Sequence, residues 1–401
     1  MATDVATNTL LNPNMITAKA LVILHQKCNF INSINTQYDS SFAEAGAKIG
    51  TSLRIRLPVQ YQVSSGPTLA VQNSVETNTT LTVNNQNHVD FSFSSVELTM
   101  NIDDFAARYL EPAMAVLAAN IESQVVGIVY PAIENYVAGQ GAAQNYFNIL
   151  KGRKILLDTL TPQSKEWQVR LCTQDNVDLV SGTSTLFNNQ TAIGRQYDEG
   201  LIGRAAGFAF KENTQFSTFT RGAGNGAYTL NGVPASGATT AVVAAGAGAL
   251  VAGDIFQIAG VFRVHPETKV STGVLRNFVV NAAYAGGAGT ISFSPAINYS
   301  AGAFQNCSAA PATNAAITFA GTASTATGQS IAYHPDFASF VTADLVMPQG
   351  VDMSSRASKD GLSIRCVRQY DINNDVLPMR LDVLWGAAVI RPALAVRLCA
   401  N

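Results

Sequence analysis

Residues 102–130 read IDDFAARYLEPAMAVLAANIESQVVGIVY. Within this stretch Leu110, Met114, Leu117, Ile121, Val125 and Ile128 recur at steps of three or four. That spacing lays a continuous apolar stripe along one side of an α-helix. Asp103 stands where an N-cap is needed, and Asp104 beside it meets the positive end of the helix dipole. A helix over residues 103–137 would run about 50 Å at about 1.5 Å per residue. Pro112 and Pro131 should bend or interrupt it, because proline lacks the amide donor and crowds the preceding turn.

Upstream, residues 51–100 change period. Leu53, Ile55 and Leu57 alternate with Arg54 and Arg56, and Val89, Phe91 and Phe93 alternate with polar residues, the pattern of strands with one apolar face. Ser64-Ser65-Gly66-Pro67 marks a turn between the two legs. The whole reads as a long two-stranded ribbon. An isolated ribbon is marginal in water, so its apolar side is expected to lie on another copy of the chain. Still further upstream, Ile16, Ala20, Ile23, Leu24 and Phe30 suggest a helix over 15–35.

Downstream, Gln144 to Leu160 reads as a helix, Trp167 to Cys172 as a strand, Asn176 to Phe187 as a helix, and Phe208 to Phe210 as a short strand. From Phe216 to about Gly328 charges become scarce and Gly, Ala, Ser and Thr abundant. Apolar runs at Phe256–Ile258, Val261–Val264, Asn277–Val280 and Thr290–Phe293 are separated by turn signals. They predict an all-β barrel or sandwich inserted into the chain. A mixed pattern then resumes, with a helix expected after His334-Pro335-Asp336, strands at 362–369 and 379–384 around a turn at Asp371 to Asp375, and a last strand near Leu394 to Leu398. The fold class is α+β.

Lys, Arg, Asp and Glu make up only 13% of the 401 residues, and 47% belong to the apolar set; ordinary soluble domains carry roughly 25% charge. Cores of protein interfaces are depleted in charge, so much of this surface is expected to be covered by further copies. The net charge of −2 supplies no basic field, so any DNA nearby is held weakly and without sequence specificity. The five cysteines are scattered and form no CxxC pair, which favours neither disulfides nor zinc. Met1 to Leu11 lack the pattern of an export signal, and no uninterrupted apolar run approaches the ~18 residues of a membrane span, so no membrane partner is expected.

Catalytic constellations are not visible. The four histidines form no HExxH or HxH pair, and no GxSxG or P-loop occurs. Asp371-Ile372-Asn373-Asn374-Asp375 imitates the start of a calcium loop, but Val376 stands where glycine is required, so a hairpin turn is expected. His334 with Asp336 reads as a capped turn rather than a base and its orienting acid. No enzyme activity, metal or cofactor is expected.

Three stretches in order resemble a known family: Ile102-Asp103-Asp104-Phe105 through Leu110, Pro112, Leu117 and Ile121; Gly253-Asp254-Ile255-Phe256-Gln257-Ile258 with Pro266-Glu267-Thr268 and Phe278-Val279-Val280; and Arg380-Leu381-Asp382-Val383-Leu384-Trp385-Gly386 with Arg391-Pro392. Together they are similar to the major capsid proteins of tailed bacteriophages with the Hong Kong 97-type fold, in the Salmonella-phage-like podovirus branch that carries an inserted β-barrel. The resemblance implies an N-terminal arm over 1–50, an E-loop over 51–100, the peripheral-domain spine helix over 101–141, a first part of the axial domain over 142–215, the insertion domain over 216–328, and a return to the axial and peripheral domains over 329–401. Asn231-Gly232-Val233-Pro234 is short and uncharged where relatives can carry a charged bridging loop, so that contact is not carried over, nor is a Lys–Asn crosslink.

The function so implied is self-assembly, as pentamers and hexamers, into an icosahedral shell around packaged double-stranded DNA. Assembly would take place in the bacterial host cytoplasm with scaffolding and portal proteins. Arg54, Arg56, Gly66 and Glu76 are the expected subunit interface, with Arg54 and Arg56 on the outer face of the ribbon pairing with acidic groups of a neighbour. Leu110, Pro112, Met114, Leu117, Ile121 and Val125 are the expected spine stripe and hinge. The rival reading, a secreted β-rich surface-layer protein or adhesin, predicts an export signal and repeats, neither of which the sequence displays.

Overall fold

The computed structural model describes residues 13–39, 52–69, 71–73, 75–94, 109–138, 142–163, 166–183, 202–359 and 361–399. The expected N-cap Asp103 and its neighbour Asp104 lie outside them. The chain forms two compact units, one of residues 1–54, 80–125 and 339–388, the other of 55–79, 126–338 and 389–401.

In the first unit a sheet runs in the order Asn35–Asp39, Ala338–Ala343, Val376–Val389, Leu362–Arg368, Met353–Lys359. The helix Pro13–Lys27 packs on the last two of these strands and buries Ile16, Ala20, Leu21 and Leu24. It starts on a proline, whose missing amide costs nothing in a first turn, and it stops at Lys27, short of the expected Asn35. Ile31–Ser33 is a separate 3-10 turn. The strand Asn85–Ser94 also joins this sheet, pairing antiparallel with Val376 to Trp385. The return leg of the ribbon is therefore satisfied by its own chain. The expected two-stranded ribbon over 51–100 is thus not isolated, because its 85–94 portion is a strand of a larger sheet. The reason is a partner nearly 300 residues further along the sequence, which alternation alone cannot reveal.

The predicted long helix is Glu111–Val129, entered through a π-type turn at Tyr109 and Leu110. Pro112 sits in its first turn, where proline is tolerated. Pro131 lies in the 3-10 turn Tyr130–Ala132 that ends it, and Asn135–Ala138 is already a strand. The helix is thus shorter than 103–137 at its C-terminal end. Leu110, Met114, Leu117, Ile121 and Val125 are all buried. Ile128 is 40% exposed, and Val126 and Val129 take the inward positions instead, because a step of four from Val125 stays on the stripe better than a step of three. By length and composition the segment Glu111–Ala132 is apolar enough to cross a membrane, but its apolar stripe is used as core.

In the second unit a sheet runs in the order Asn135–Ala138, Ala395–Cys399, Ile331–Tyr333, Gln168–Leu171, Phe208–Glu212, Arg204–Ala205. The helix Tyr146–Asp158 begins at Asn145, whose Oδ1 accepts the Asn148 amide at 2.9 Å. The helix Thr173–Thr183 starts three residues earlier than expected. No helix follows His334: Pro335–Phe337 is one 3-10 turn, and Ala338–Ala343 is a fully buried strand, because its small and β-branched residues favour a pleated sheet.

Residues 225–319 form a barrel of six strands, ordered Asn225–Leu230, Ala238–Ala247, Gly289–Ile297, Ser271–Val280, Ile255–Val264, Ile317–Phe319. It closes where the Leu230 amide donates to Ala315 O at 3.0 Å and the Asn314 amide to Leu230 O at 3.2 Å. Phe256, Phe278 and Phe293 fill its centre, with ring centroids 5.2 to 5.7 Å apart. Gly246 is needed here, since a Cβ on it would come 2.1 Å from the Tyr228 ring. The chain enters and leaves the barrel through the antiparallel pair Thr218–Thr220 and Ala326–Gly328.

Candidate assembly surface

Ser52–Arg56 pairs with Asn78–Thr82, and the Leu57 amide continues the ladder to Thr77 O at 2.9 Å. Beyond it the two legs are joined by Gln72, whose Oε1 accepts the Gln62 amide at 3.0 Å and whose Nε2 donates back to Gln62 O. Apolar residues occupy odd positions along both legs, and their burial fades with distance from the root. Leu81 and Val83 are buried at the root, and Leu53, Ile55, Leu57 and Val59 are half-buried. Tyr61, Val63, Leu69, Val71 and Val75 are 53% to 88% exposed at the tip. One stripe thus runs from the protein's own core out into solvent. Gly66 turns the tip at φ +110°, a conformation that side chains resist even though the space around it is open.

Arg54 is exposed, as expected of the outer face. The Arg56 guanidinium lies 3.2 Å from Glu76 on the opposite leg, both well exposed. Within one chain Arg56 thus has an acidic partner on the opposite leg of its own ribbon. Antiparallel pairing next to Thr77 sets the two side by side.

The sequence missed the buried charges. Glu134, 3% exposed, accepts from Arg276 Nη2 at 3.1 and 3.0 Å. Arg397 donates to Gly253 O at 2.7 Å and Pro131 O at 2.9 Å, and its guanidinium lies 4.7 Å from the Tyr130 ring centroid and 5.6 Å from that of Phe219. It ties the end of the long helix to the barrel and to the last strand, while its own burial pulls its pKa down. Asp254 accepts the Gly222 and Val251 amides at 3.1 and 3.0 Å, and burial pushes its carboxyl above the usual range. No local pattern marks these residues; only the absence of a nearby counter-charge in an apolar strand could have flagged Arg397.

Among the described residues no group of three or more His, Cys, Asp or Glu side chains is placed to hold a metal ion. Asp371 accepts the Asn373 amide at 3.0 Å and Asn374 Nδ2 at 2.7 Å, closing a hairpin turn. His334 Nδ1 accepts the Asp336 amide at 3.3 Å, a cap. Burial pushes the Cys307 and Cys366 thiols up to about 11, far from the thiolate a nucleophile needs.

Solved phage structures are similar to this chain over most of its length. A chain from Mycobacterium phage Che8 aligns with 91% of this chain and 91% of its own at 12% identity and a TM-score of 0.45. The capsid of cyanophage P-SCSP1u aligns with 92% of this chain and 86% of its own at 11% identity and a TM-score of 0.43. The CUS-3 coat protein I-domain is 28% identical, covering 23% of this chain and 92% of its own with a TM-score of 0.20. No curated protein sequence matches. The family described as "P22 coat protein - gene protein 5" matches residues 35–399. The class is that of tailed-phage coat proteins, with an α+β fold of the Hong Kong 97 type. The chain belongs to the P22 coat protein family.

Proposed function

We propose that this chain closes into pentamers and hexamers that tile an icosahedral shell around packaged double-stranded DNA, assembling in the bacterial host cytoplasm with scaffolding and portal proteins. The observation that carries this is the ribbon tip, where Tyr61, Val63, Leu69, Val71 and Val75 stand out of the protein on one stripe. Covering an exposed aliphatic or aromatic side chain is worth roughly 1.5–3 kcal/mol, so five on one stripe give a repeated contact a strong drive. The tip meets a neighbouring copy head-to-tail, and such heterologous contacts close into rings. Arg54, Arg56, Gly66 and Glu76 are the ribbon residues assigned to that interface. DNA is held weakly inside, in keeping with a net charge of −2. The role is structural and uses no cofactor. Pro112, beside the π-type turn at 109–110, is the hinge about which the long helix changes bend as the shell matures.

Expression of the chain alone and with its neighbouring genes, followed by electron microscopy, tests this. Closed shells with five- and six-fold capsomers are expected in at least one case. Dispersed monomers in both, at concentrations where relatives form particles, would overturn it.

A further inference from the structure

Within the second unit the helices Tyr146–Asp158 and Thr173–Thr183 lie side by side on one face of the sheet. Ile149 and Leu156 of the first and Leu179 of the second sink into a single apolar cluster, and the Gln144 amide donates to Asp178 Oδ2 at 3.2 Å. The sides turned away from that core are apolar too. Phe147 is 64% exposed, Leu150 39% and Val177 61%, where a helix facing only water carries polar residues. The two helices differ in charge. The first has three cations and one carboxylate, the second two carboxylates and no cation. Lys151 shares a face with Phe147 and Leu150. Its Nζ lies 4.6 Å from the Phe147 ring centroid, and it has no carboxylate partner among the described residues. Beside the second helix, Glu212 is exposed and accepts from the neutral Asn176 Nδ2 at 2.9 Å. Phe208 and Phe210, at strand spacing before it, are buried in the same cluster, so Glu212 is on the face that carries the helices.

We propose that the outer face of Tyr146–Asp158 in one copy seats on the outer face of Thr173–Thr183 in the next, with Phe147 and Leu150 against Val177 and Lys151 facing Glu212. The inference rests on the shell-forming reading and adds a second contact surface to the ribbon tip. The occupant is another copy because one chain carries both halves, a basic apolar face and an acidic apolar one. Each copy offers what the next one lacks. Either face meeting its own duplicate would set like charges together, which is unfavourable. The contact is therefore heterologous, the kind that closes into rings. Nucleic acid would answer Lys151 but leave three apolar side chains wet. The apolar centre with charges at its edge has the make-up of a protein interface.

The test is a charge swap in the full-length chain, read as the rate of shell formation by light scattering and electron microscopy. Lys151→Glu and Glu212→Lys should each slow assembly about ten-fold, since a reversed charge at the edge of a contact acts on the encounter rate. The double variant should recover most of the parent's rate. Both positions are exposed, so the free subunits should melt where the parent does. A second measurement covers variants that fold poorly. Phe147→Cys and Val177→Cys subunits are co-assembled in equal parts and treated with a short bis-maleimide. Covalent dimers are expected from the mixed shells and not from shells of either variant alone. Parent shells alongside single swaps of unchanged rate, a double variant no faster than the singles, or mixed shells without dimers would overturn this contact alone. A parent that forms no shells would sink the shell-forming reading and this contact with it.

Discussion

The Trp385 indole Nε1 donates to Asn87 Oδ1 at 2.6 Å, joining the return leg of the ribbon to the strand that lies beside it. Trp385 is fully buried and stacks on Phe340 with centroids 5.7 Å apart. Asn87 in turn bonds Asn120 on the long helix at 2.9 Å. One amide therefore links ribbon, sheet and helix within the first unit.

Asn87→Leu would leave the indole N–H buried without an acceptor. A loss of roughly 1–3 kcal/mol is expected, read as a lower urea midpoint with unchanged slope. Asn87→Asp keeps the acceptor for the indole while giving up the donor to Asn120 Oδ1, so it should lose less than the leucine variant but not recover the parent. Equal losses would show that the bond contributes little.

The Glu134–Arg276 pair is almost wholly buried. Arg276→Met strands the carboxylate and should cost about 3–5 kcal/mol, whereas the double change with Glu134→Met should recover most of it. Denaturant melts of the single and double variants form the cycle, and additive losses would mean the two side chains do not act as a pair.

Asp175 is held above the ordinary carboxylate range, chiefly by burial, although the Ser330 hydroxyl donates to it and works against that. An acid raised in the folded state contributes stability that is present below its unfolded pKa and is lost as pH climbs through the folded value. Asp175→Asn abolishes that loss. The variant should gain on the parent as pH rises from about 4 toward neutrality, with little difference below. A difference that does not vary with pH would contradict this.

Arg56→Glu sets like charges against each other across the ribbon at Glu76. Both are exposed, so the stability cost should stay below about 1 kcal/mol, and the melting temperature should barely move. A large drop would mean the pair is shielded.

The stripe Leu110, Met114, Leu117, Ile121 and Val125 was legible because helical period is a local property, and so were the strands at 255–264 and 362–368. The strand Asn135–Ala138 was not, since its short run of Asn, Tyr, Val and Ala only becomes a strand beside Ala395–Cys399. The same holds for Asn85–Ser94, whose alternation announced a strand but not which chain would pair with it. Arg56 and Glu76 were both named as interface residues, yet their mutual contact depends on strand register, which spacing along one leg does not set. Glu134 and Arg276 escaped notice because a buried ion pair draws its members from elements far apart in the chain, and Arg397 because the carbonyls it bonds, Gly253 O and Pro131 O, lie equally far from it in sequence.

The claim beneath the whole account is that the ribbon tip, bare in the single subunit, is covered once copies meet. Val63 is 88% exposed, and the five native cysteines are buried or half-buried, so Val63→Cys provides a nearly clean label. Maleimide should react with it quickly in free subunits and at least about 100-fold more slowly in assembled shells, as expected for a side chain inside a desolvated contact. Equal rates in the two states would contradict the account.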